Sequence, residues 1–338
     1  MSTVSVIIPN FNRAGLIGAT IENLLSQTQP PHEIIVVDDG STDDSLSVIR
    51  SYGSRVTLLQ QSNAGPGAAR NAGLKMATGR YIQFQDSDDL LSLNKLDEQS
   101  RVMESTGADL VLGPWAHVLI RGDEVTFESC VLQQAAPPDS ISWSSWLLRG
   151  WATIFQSLMF RRSFLEGVGG YRTDLRYGED MEYFFRVLAA SPRTAFAGNT
   201  LTLYRVDAPN KLSHDAGRSK YRREEDWGVC LDAMISEIQK SHLGVDAMTR
   251  LIFRSLVRKH LRYLSSNPEC SPQLRERLQR EVGKVPSVLL GGMEICLRIA
   301  ERYRLLTTGY RWVRGYQCHP ASQEQQTLTQ ELGFAITT

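Results

Sequence analysis

The first 115 residues alternate between short apolar runs and longer segments in which apolar residues recur with the period of a helix. Short β-branched runs predict buried strands, and the amphipathic segments between them predict helices. The predicted strands are Val4–Ile8, Ile34–Val37, Val56–Leu59, Tyr81–Phe84 and Leu110–Leu112, with helices near 14–27, 43–52, 66–77 and 94–105. This alternation is typical of βαβ units, so we expect an open α/β domain built on a parallel sheet.

The rest of the chain follows two other patterns. Residues 116–216 predict a hairpin, a further strand, a helix and two closing strands, whereas residues from about 217 onward show helical periodicity and no strand pattern. These strands are predicted at His117–Ile120, Val125–Leu132, Ile154–Phe160, Thr194–Phe196 and Leu201–Tyr204, and the helices near 179–190, 219–241, 247–264, 272–282 and 288–306. We therefore predict three regions, 1–115, 116–216 and a helical region 217–338.

Composition excludes several classes of protein. The 42% of hydrophobic and 22% of charged residues are typical of a globular protein. The 37 basic and 37 acidic residues balance, so the net charge gives no reason to expect binding to nucleic acid. Five scattered cysteines without a Cys-x-x-Cys pair argue against a zinc ribbon or a disulfide framework. We find no signal-peptide pattern and no apolar stretch long enough to span a membrane, so we expect a cytoplasmic protein.

Polar segments follow four of the predicted strands directly. Ligands of open α/β sheets bind outside the carboxyl ends of the strands, which makes these segments the place to look for function. They are residues 9–13 (PNFNR), 38–43 (DDGSTD), 62–67 (SNAGPG) and 86–89 (DSDD). Three of them have an alternative interpretation as βα loops with ordinary turn and capping residues.

The fourth segment, Asp86-Ser87-Asp88-Asp89, places three carboxylates within four residues. Such carboxylates repel one another unless a cation or hydrogen bonds compensate their charge. Asp-x-Asp at the end of a strand offers oxygen ligands to a hard divalent ion, which completes its shell with water and substrate phosphates. The alternative is a capped helix start whose charges are solvated.

Two further motifs precede predicted helices. Gly65-Pro66-Gly67 lacks the third glycine of a dinucleotide fingerprint and does not follow the first strand, which argues against NAD. A glycine-rich loop that opens a helix still presents N–H groups to phosphate, and Arg70 could add a charged fork. Glu179 and Asp180 begin another helix, where the macrodipole favours negative charge and keeps Asp180 ionised; they either stabilise the helix or supply a base.

In this order, the segments 5–12, 34–43, 63–73, 86–89 and 177–180 resemble the motifs of the inverting family-two glycosyltransferases. The resemblance covers roughly residues 3–206 and implies the GT-A fold, in which a Rossmann-like nucleotide-binding sheet (1–115) is joined to an acceptor-binding, catalytic half (116–216). It implies an enzyme that moves one sugar from a nucleotide-diphosphate sugar, UDP-sugar above all, to an acceptor hydroxyl with inversion. The setting implied is the biosynthesis of polysaccharides or glycoconjugates, with a saccharide or lipid-linked acceptor.

The resemblance also assigns roles to residues on the donor side. Asp39 would hydrogen-bond the base, Phe11 would stack on it and the backbone of Pro9 would lie nearby. Arg70 is a candidate for contacting the phosphates.

Metal and catalytic roles follow in the same way. Asp88 would bind Mn²⁺ or Mg²⁺ directly, and Asp86 would contact the ribose or a metal-bound water. Asp180 would be the catalytic base, with Glu179 as its neighbour. Two alternatives stay open: a sugar nucleotidyltransferase, although residues 9–12 lack its glycine-rich basic loop, and a non-catalytic nucleotide-sugar-binding or scaffold protein.

The sequence departs from the family pattern in two places. Many members carry His where this chain has Asp207, which leaves a third metal ligand in doubt, and His214 lies close enough in sequence to substitute. The Gln-x-x-Arg-Trp motif of processive synthases is absent, because Thr308 stands three residues before Arg311-Trp312. A synthase that extrudes a polymer is therefore not expected.

Two features leave alternatives open. A basic stripe on one predicted helix is either a solvated face or a contact with anionic lipid at the inner face of the membrane; its members are Arg250, Arg254, Arg258 and Arg262. Trp143, Trp146 and Trp151 are suited equally to stacking on an acceptor sugar and to packing in the core.

Overall fold

The computed structural model describes residues 3–122, 124–127, 136–137, 142–148, 153–175, 177–208, 220–240, 245–267, 270–294, 327, 329–331 and 335–337. Its strands are β1 Val4–Asn10, β2 Glu33–Asp38, β3 Thr57–Gln60, β4 Tyr81–Phe84, β5 Leu90–Leu91, β6 Leu110–Leu112, β7 Trp115–Arg121, β8 Glu124–Phe127, β9 Leu158–Arg161, β10 Thr194–Phe196, β11 Thr202–Arg205 and β12 Ala335–Thr337. Its helices are α1 Ile17–Leu25, α2 Ser45–Arg50, α3 Pro66–Met76, α4 Lys95–Thr106, α5 Trp143–Leu148, α6 Arg162–Val168, α7 Glu179–Ala189, α8 Lys220–Lys240, α9 Ala247–Ser265 and α10 Pro272–Gly283.

The main sheet has seven strands in the order β10-β6-β9-β4-β1-β2-β3. Its strands pair in parallel except β9, which runs antiparallel to both β4 and β6. The chain reaches β9 from the second sheet and α5 rather than through a βαβ crossover, so it can enter antiparallel. The predicted α/β class is confirmed, and the sheet is mixed rather than wholly parallel.

A second sheet has the order β12-β8-β7-β11-β5. Its edge strand β12 pairs in parallel with β8 and lies in the region where the sequence predicted helices alone, so that prediction is wrong at the C-terminus. Three residues are too few to show an alternating pattern. The predicted strand over 154–160 is also shorter, because Phe155–Ser157 forms a 3₁₀ turn before β9. Residues 287–294 are helical, and the remainder of the helix predicted to 306 lies outside the described residues.

The helices after residue 217 share a core with the main sheet. Cys230 of α8 and Phe253 of α9 belong to the same buried apolar cluster as Ile7 of β1 and Phe84 of β4. The boundaries of the three predicted regions stay predictions. Within the described part of the chain, none of the helices combines the length and the apolar character needed to cross a bilayer.

The tryptophans at the start of α5 belong to that same cluster. Trp143 and Trp146 are 8% and 4% exposed, so both are core residues rather than an open platform for a sugar. Trp151 lies outside the described residues.

Helix α3 lies directly on β1 because Gly73 has no side chain. A Cβ atom at this position would lie 2.4 Å from Cγ2 of Ile7, which is fully buried.

Replacing Gly73 with Ala should therefore lower the free energy of unfolding by about 1–3 kcal/mol, the usual cost of overpacking a core. Urea unfolding measures the change. Gly167 of α6 has open space at its Cβ position, so Gly167→Ala should stabilise by up to about 1 kcal/mol through helix propensity. Equal effects of the two substitutions would contradict this account of the packing.

Candidate active site

The ends of β1, β2 and β4 bring three of the motifs to one edge of the sheet. Asn10 pairs with Asp38 across β1 and β2, and Ile7 pairs with Phe84 across β1 and β4. Asp38 shapes its own loop, because its carboxylate accepts hydrogen bonds from Asn10 Nδ2 (2.9 Å) and from the Ser41 hydroxyl (2.6 Å). The polar segments after these three strands are therefore neighbours in space.

The loop that opens α3 is held by Asp39. Its carboxylate accepts hydrogen bonds from the backbone N–H groups of Ala64 and Gly65, both at 2.8 Å, and from Gln61 Nε2 at 2.7 Å. Gly65 has a φ of +93°, a conformation that glycine adopts at little cost. Asp39 thus fixes the glycine-rich loop beside the end of β2, and its contact with a base stays a prediction.

Phe11 is one of the exposed aromatic side chains, at 41% of its surface. It follows β1 directly, where Pro9 is half-buried, and precedes Asn12, whose φ is +52°. The Asn12 side chain accepts a hydrogen bond from the Thr42 N–H at 2.8 Å, which ties this loop to the one after β2. The ring is therefore anchored at its backbone and open to a planar ligand.

Three carboxylates meet at the end of β4. One oxygen each of Asp86, Asp88 and Asp89 lies within 4.8 Å of the others. An all-oxygen set of this kind fits a hard divalent cation such as Mg²⁺ or Mn²⁺, which agrees with the chemistry predicted for this motif. The predicted pair Asp86 and Asp88 is joined here by Asp89, whose side chain is fully buried.

Each carboxylate of this acid cluster (Asp86, Asp88 and Asp89) has a partner. Gln156 donates from one amide nitrogen to both Asp86 and Asp89, the latter at 2.7 Å. Arg13 Nε lies 3.5 Å from Asp88 Oδ2. These donors reduce the repulsion among the three acids and hold them in position.

Arg70 links this cluster to the start of α7. One guanidinium nitrogen donates to Asp86 at 3.0 Å and the other donates to Glu179 at 3.1 Å, while the Tyr171 ring lies 5.4 Å away. Burial alone would lower the pKa of Arg70, but the charges of Asp86 and Glu179 raise it. The guanidinium is thus occupied by carboxylates, and its contact with phosphates stays a prediction.

Glu179 and Asp180 differ in exposure. Glu179 is buried, and that burial together with repulsion from Asp180 raises the pKa of its carboxyl, against the attraction of Arg70. The side chain of Asp180 is exposed to solvent. The protein packed around it still desolvates the carboxyl and raises its pKa, while the positive charge of Arg70 acts in the opposite direction. The surroundings of the Asp180 carboxyl therefore raise its pKa, although the dipole of α7 favours the charged form.

Asp207, one of the two residues considered as a further metal ligand, has its own backbone partner. Asp207 accepts hydrogen bonds from the Ile120 N–H at 3.3–3.4 Å, which places it at the end of the β7–β11 pair. It is not among the grouped carboxylates found in the described residues. His214 lies outside the described residues.

The predicted basic stripe on α9 is ion-paired with neighbouring helices. Arg254 donates to Glu281 of α10 at 2.7 Å, and Arg262 lies 3.1 Å from Glu294. Arg258 also lies 3.7 Å from Glu294, and Arg250 donates to the Val245 carbonyl. The stripe therefore joins helices to one another in addition to facing solvent.

Sequence reasoning missed several residues of this site. Gln156 and Tyr171 follow no motif that marks them, and Arg13 follows β1 as an ordinary loop residue. Asp89 stands within the acidic motif and could have been found from it. Gln156 directly precedes the strand β9, which pairs with β4, and this pairing brings it beside Asp86. Such a long-range contact leaves no mark in the local sequence.

Removing the guanidinium of Arg70 should strongly destabilise the protein. Arg70→Met would leave buried Glu179 unpaired, which costs about 3–5 kcal/mol in comparable buried pairs. The exposed pair of Arg80 and Glu104 provides a matched control, and Arg80→Met should cost about 0–1 kcal/mol. Chemical denaturation of both variants measures the difference, and similar losses would show that Arg70 is not the central ion pair.

Comparisons with known proteins agree with this geometry. The model of the family described as glycosyl transferase family 2 matches residues 5–169. An uncharacterised glycosyltransferase of Rickettsia felis is 47% identical over 103 residues, which cover 30% of this chain and 17% of that protein. An uncharacterised glycosyltransferase of Nostoc sp. is 36% identical over 174 residues, 49% of this chain and 52% of its own length. The chain thus spans less than a fifth of the first relative and about half of the second.

Solved structures show the same architecture over most of the chain. The crystal structure of S. aureus TarS 1–349 in complex with UDP-GlcNAc superposes with a TM-score of 0.61 at 20% identity, covering 85% of this chain and 82% of that one. The complex of the same protein with UDP gives a TM-score of 0.60 with the same identity and coverage. The fold is the GT-A fold that the motifs predicted, with helices added at the C-terminus. Over residues 5–169, just under half of its length, this chain is similar to glycosyl transferase family 2.

Proposed function

We propose that this protein transfers a single sugar from a UDP-sugar to an acceptor hydroxyl with inversion at the anomeric carbon. The observation that carries the proposal is that one buried arginine, Arg70, joins two carboxylate groups. One group, the acid cluster, has the ligand set for a cation that holds a diphosphate. The other, Glu179 and Asp180, supplies a carboxylate for taking up a proton.

The donor would bind across the ends of β1 and β2. Phe11 offers an exposed ring for stacking on the base, and the loop fixed by Asp39 presents backbone N–H groups at the start of α3 to phosphate. Uridine is the proposed nucleoside because TarS, which has the same fold, forms complexes with UDP and with UDP-GlcNAc. Arg70 would contribute positive charge near the diphosphate, while its nitrogens stay with the carboxylates.

A divalent cation, Mn²⁺ or Mg²⁺, would be held by Asp88 with Asp86 and Asp89 beside it. When bound, such an ion neutralises the negative charge that develops on a departing nucleoside diphosphate. Arg13 and Gln156 keep the three carboxylates close together in its absence. The site residues therefore provide the oxygen ligands and hold their spacing.

Asp180 is the proposed general base. Its Oδ1 accepts a hydrogen bond from the Met181 N–H at 2.7 Å, which leaves Oδ2 to receive a proton. As the acceptor oxygen bonds to the anomeric carbon, its proton passes to Asp180 and the nucleoside diphosphate leaves with the bonding electron pair. The raised pKa of Asp180 makes its carboxylate a stronger base than an ordinary aspartate.

The alternatives fit the described site less well. A sugar nucleotidyltransferase needs a basic glycine-rich loop after the first strand, and Phe11 and Asn12 occupy that place. A non-catalytic binding protein would have no need of two carboxylates with raised pKa values beside the donor site.

The acceptor and the cellular setting belong to the same proposal. A saccharide or lipid-linked acceptor, a role in polysaccharide or glycoconjugate biosynthesis and a cytoplasmic location follow from the family resemblance. Contact with an anionic membrane through α9 also stays a prediction, and the pairing of Arg254 with Glu281 lowers the charge available for it.

Replacing Asp180 with Asn should abolish transfer and preserve donor binding. Asn keeps the shape of the side chain but cannot take up a proton at neutral pH, so we expect the transfer rate to fall by about 10²–10⁴-fold. Release of UDP from a panel of UDP-sugars with acceptors measures the rate, and calorimetry measures donor binding. In the wild type, the rate should rise with pH through an apparent pKa above the ordinary range of aspartate.

The control for this experiment is Asp174→Asn, which removes an exposed carboxylate paired with Arg172. This variant should transfer sugar at the wild-type rate. Transfer by Asp180→Asn at a comparable rate would refute the assignment and direct attention to Glu179.

Replacing Asp88 with Ala should remove the dependence of donor binding on a divalent ion. The change deletes an oxygen ligand, so Mn²⁺-dependent binding of UDP should weaken strongly while the melting temperature without ligand stays nearly constant. Asp97→Ala, which alters an acidic residue of α4 away from the cluster, is the control. Unchanged UDP affinity of the Asp88 variant in Mn²⁺ would remove the metal from the proposed function.

A further inference from the structure

The helix that carries Glu179 and Asp180 begins without a side-chain cap among the described residues. Its first position is preceded by Gly178, which has a φ of +78°. A backbone bond from the Glu182 N–H to the Gly178 carbonyl, 3.0 Å long, closes the first turn. Because Gly178 offers no side chain to cap the helix, the direction of this turn depends on the bond between Arg70 and Glu179 and on packing against neighbouring elements.

Helix α8 supplies that packing. A Cβ atom at Gly178 would lie 3.2 Å from Cε3 of Trp227 and 3.7 Å from Cβ of Cys230. Trp227 and Cys230 are three residues apart, so they lie on one face of α8. Cys230 is fully buried and Trp227 is half-buried. Together they form a surface on which the backbone of Gly178 rests.

Other helices hold α8 in place. His260 Nε2 of α9 donates to the Glu224 carbonyl at 2.8 Å, and Arg277 of α10 lies 3.0 Å from Asp232. Gly228, next to Trp227, has no side chain, and a Cβ there would lie 3.1 Å from Leu264 of α9. The indole ring is thus carried by a helix that is fixed to two further helices.

The same turn also contacts the start of α3 in the donor loop. A Cβ atom at Gly67 would lie 3.5 Å from Cγ of Glu179 and 3.2 Å from Cβ of Tyr171. The first turn of α7 therefore contacts both the start of α3 and Trp227. Displacement of either support would move Asp180 relative to the donor.

We infer that Trp227 is a positioning residue for catalysis, and that the C-terminal helices brace the first turn of α7. The inference rests on the proposed function, since it concerns the placement of Asp180. Misplacing a reacting group by about 1 Å through a distant change can cost about 10²-fold in rate. The effect of Trp227 should therefore fall on kcat and leave the KM for the donor unchanged.

Two substitutions of Trp227 test this role. Trp227→Leu opens space beside Gly178 and should lower the kcat of sugar transfer by about 10²-fold with the donor KM unchanged. Trp227→Phe keeps an aromatic ring, so its kcat should stay close to that of the wild type. Ile235→Ala is the control, since Ile235 is buried on the same helix away from Gly178, and this variant should lose stability but keep kcat.

Hydrogen exchange of the peptide that covers residues 179–185 provides a readout independent of activity. Trp227→Leu should speed exchange of the Glu182 amide, while Ile235→Ala should leave it unchanged relative to the rest of the chain. If the kcat and the exchange of the Trp227→Leu variant match those of Ile235→Ala, the inference is overturned. If the wild type transfers no sugar, the proposed function fails. In that case hydrogen exchange alone tests whether Trp227 braces the turn. An unchanged exchange rate of the Glu182 amide in Trp227→Leu would then overturn the inference.

Discussion

The arrangement of this site depends on the compensation of negative charge in a partly buried space. Five carboxylates from the segment after β4 and from the start of α7 lie close together, and their mutual repulsion would drive them apart or protonate them. Arg70 reduces this repulsion because its buried guanidinium donates hydrogen bonds to Asp86 and Glu179 at the same time. The rest of the site is arranged around that fork.

The fold provides the conditions for this fork. Helix α3, which carries Arg70, can approach β1 closely because Gly73 has no side chain. The antiparallel entry of β9 brings Gln156 beside the end of β4, where its amide bridges Asp86 and Asp89. The packing of the backbone therefore also brings together the groups that compensate the charge of the carboxylates.

Much of this could be predicted from sequence, and the reasons for the failures are physical. The strands Tyr81–Phe84 and Leu110–Leu112 were predicted with their observed bounds because buried apolar runs carry a strong local signal. The acidic motif at 86–89 was evident because three carboxylates within four residues repel one another unless their charge is compensated. The partners of Arg70 could not be predicted, since Glu179 is 109 residues away and pairing at that distance leaves no periodic trace. The strand at 335–337 was missed because its order depends on the edge of β8.

The shared core of the sheet and the C-terminal helices has a consequence for how the chain can be divided. The family match ends at residue 169, yet Cys230 and Phe253 lie in one apolar cluster with Phe84 and Tyr183. A fragment cut at the limit of the matched segment would expose this cluster to water, and exposed patches of that kind drive aggregation. The unit that folds is therefore larger than the unit that the sequence similarity delimits, and any transplant of this domain must carry the helices with it.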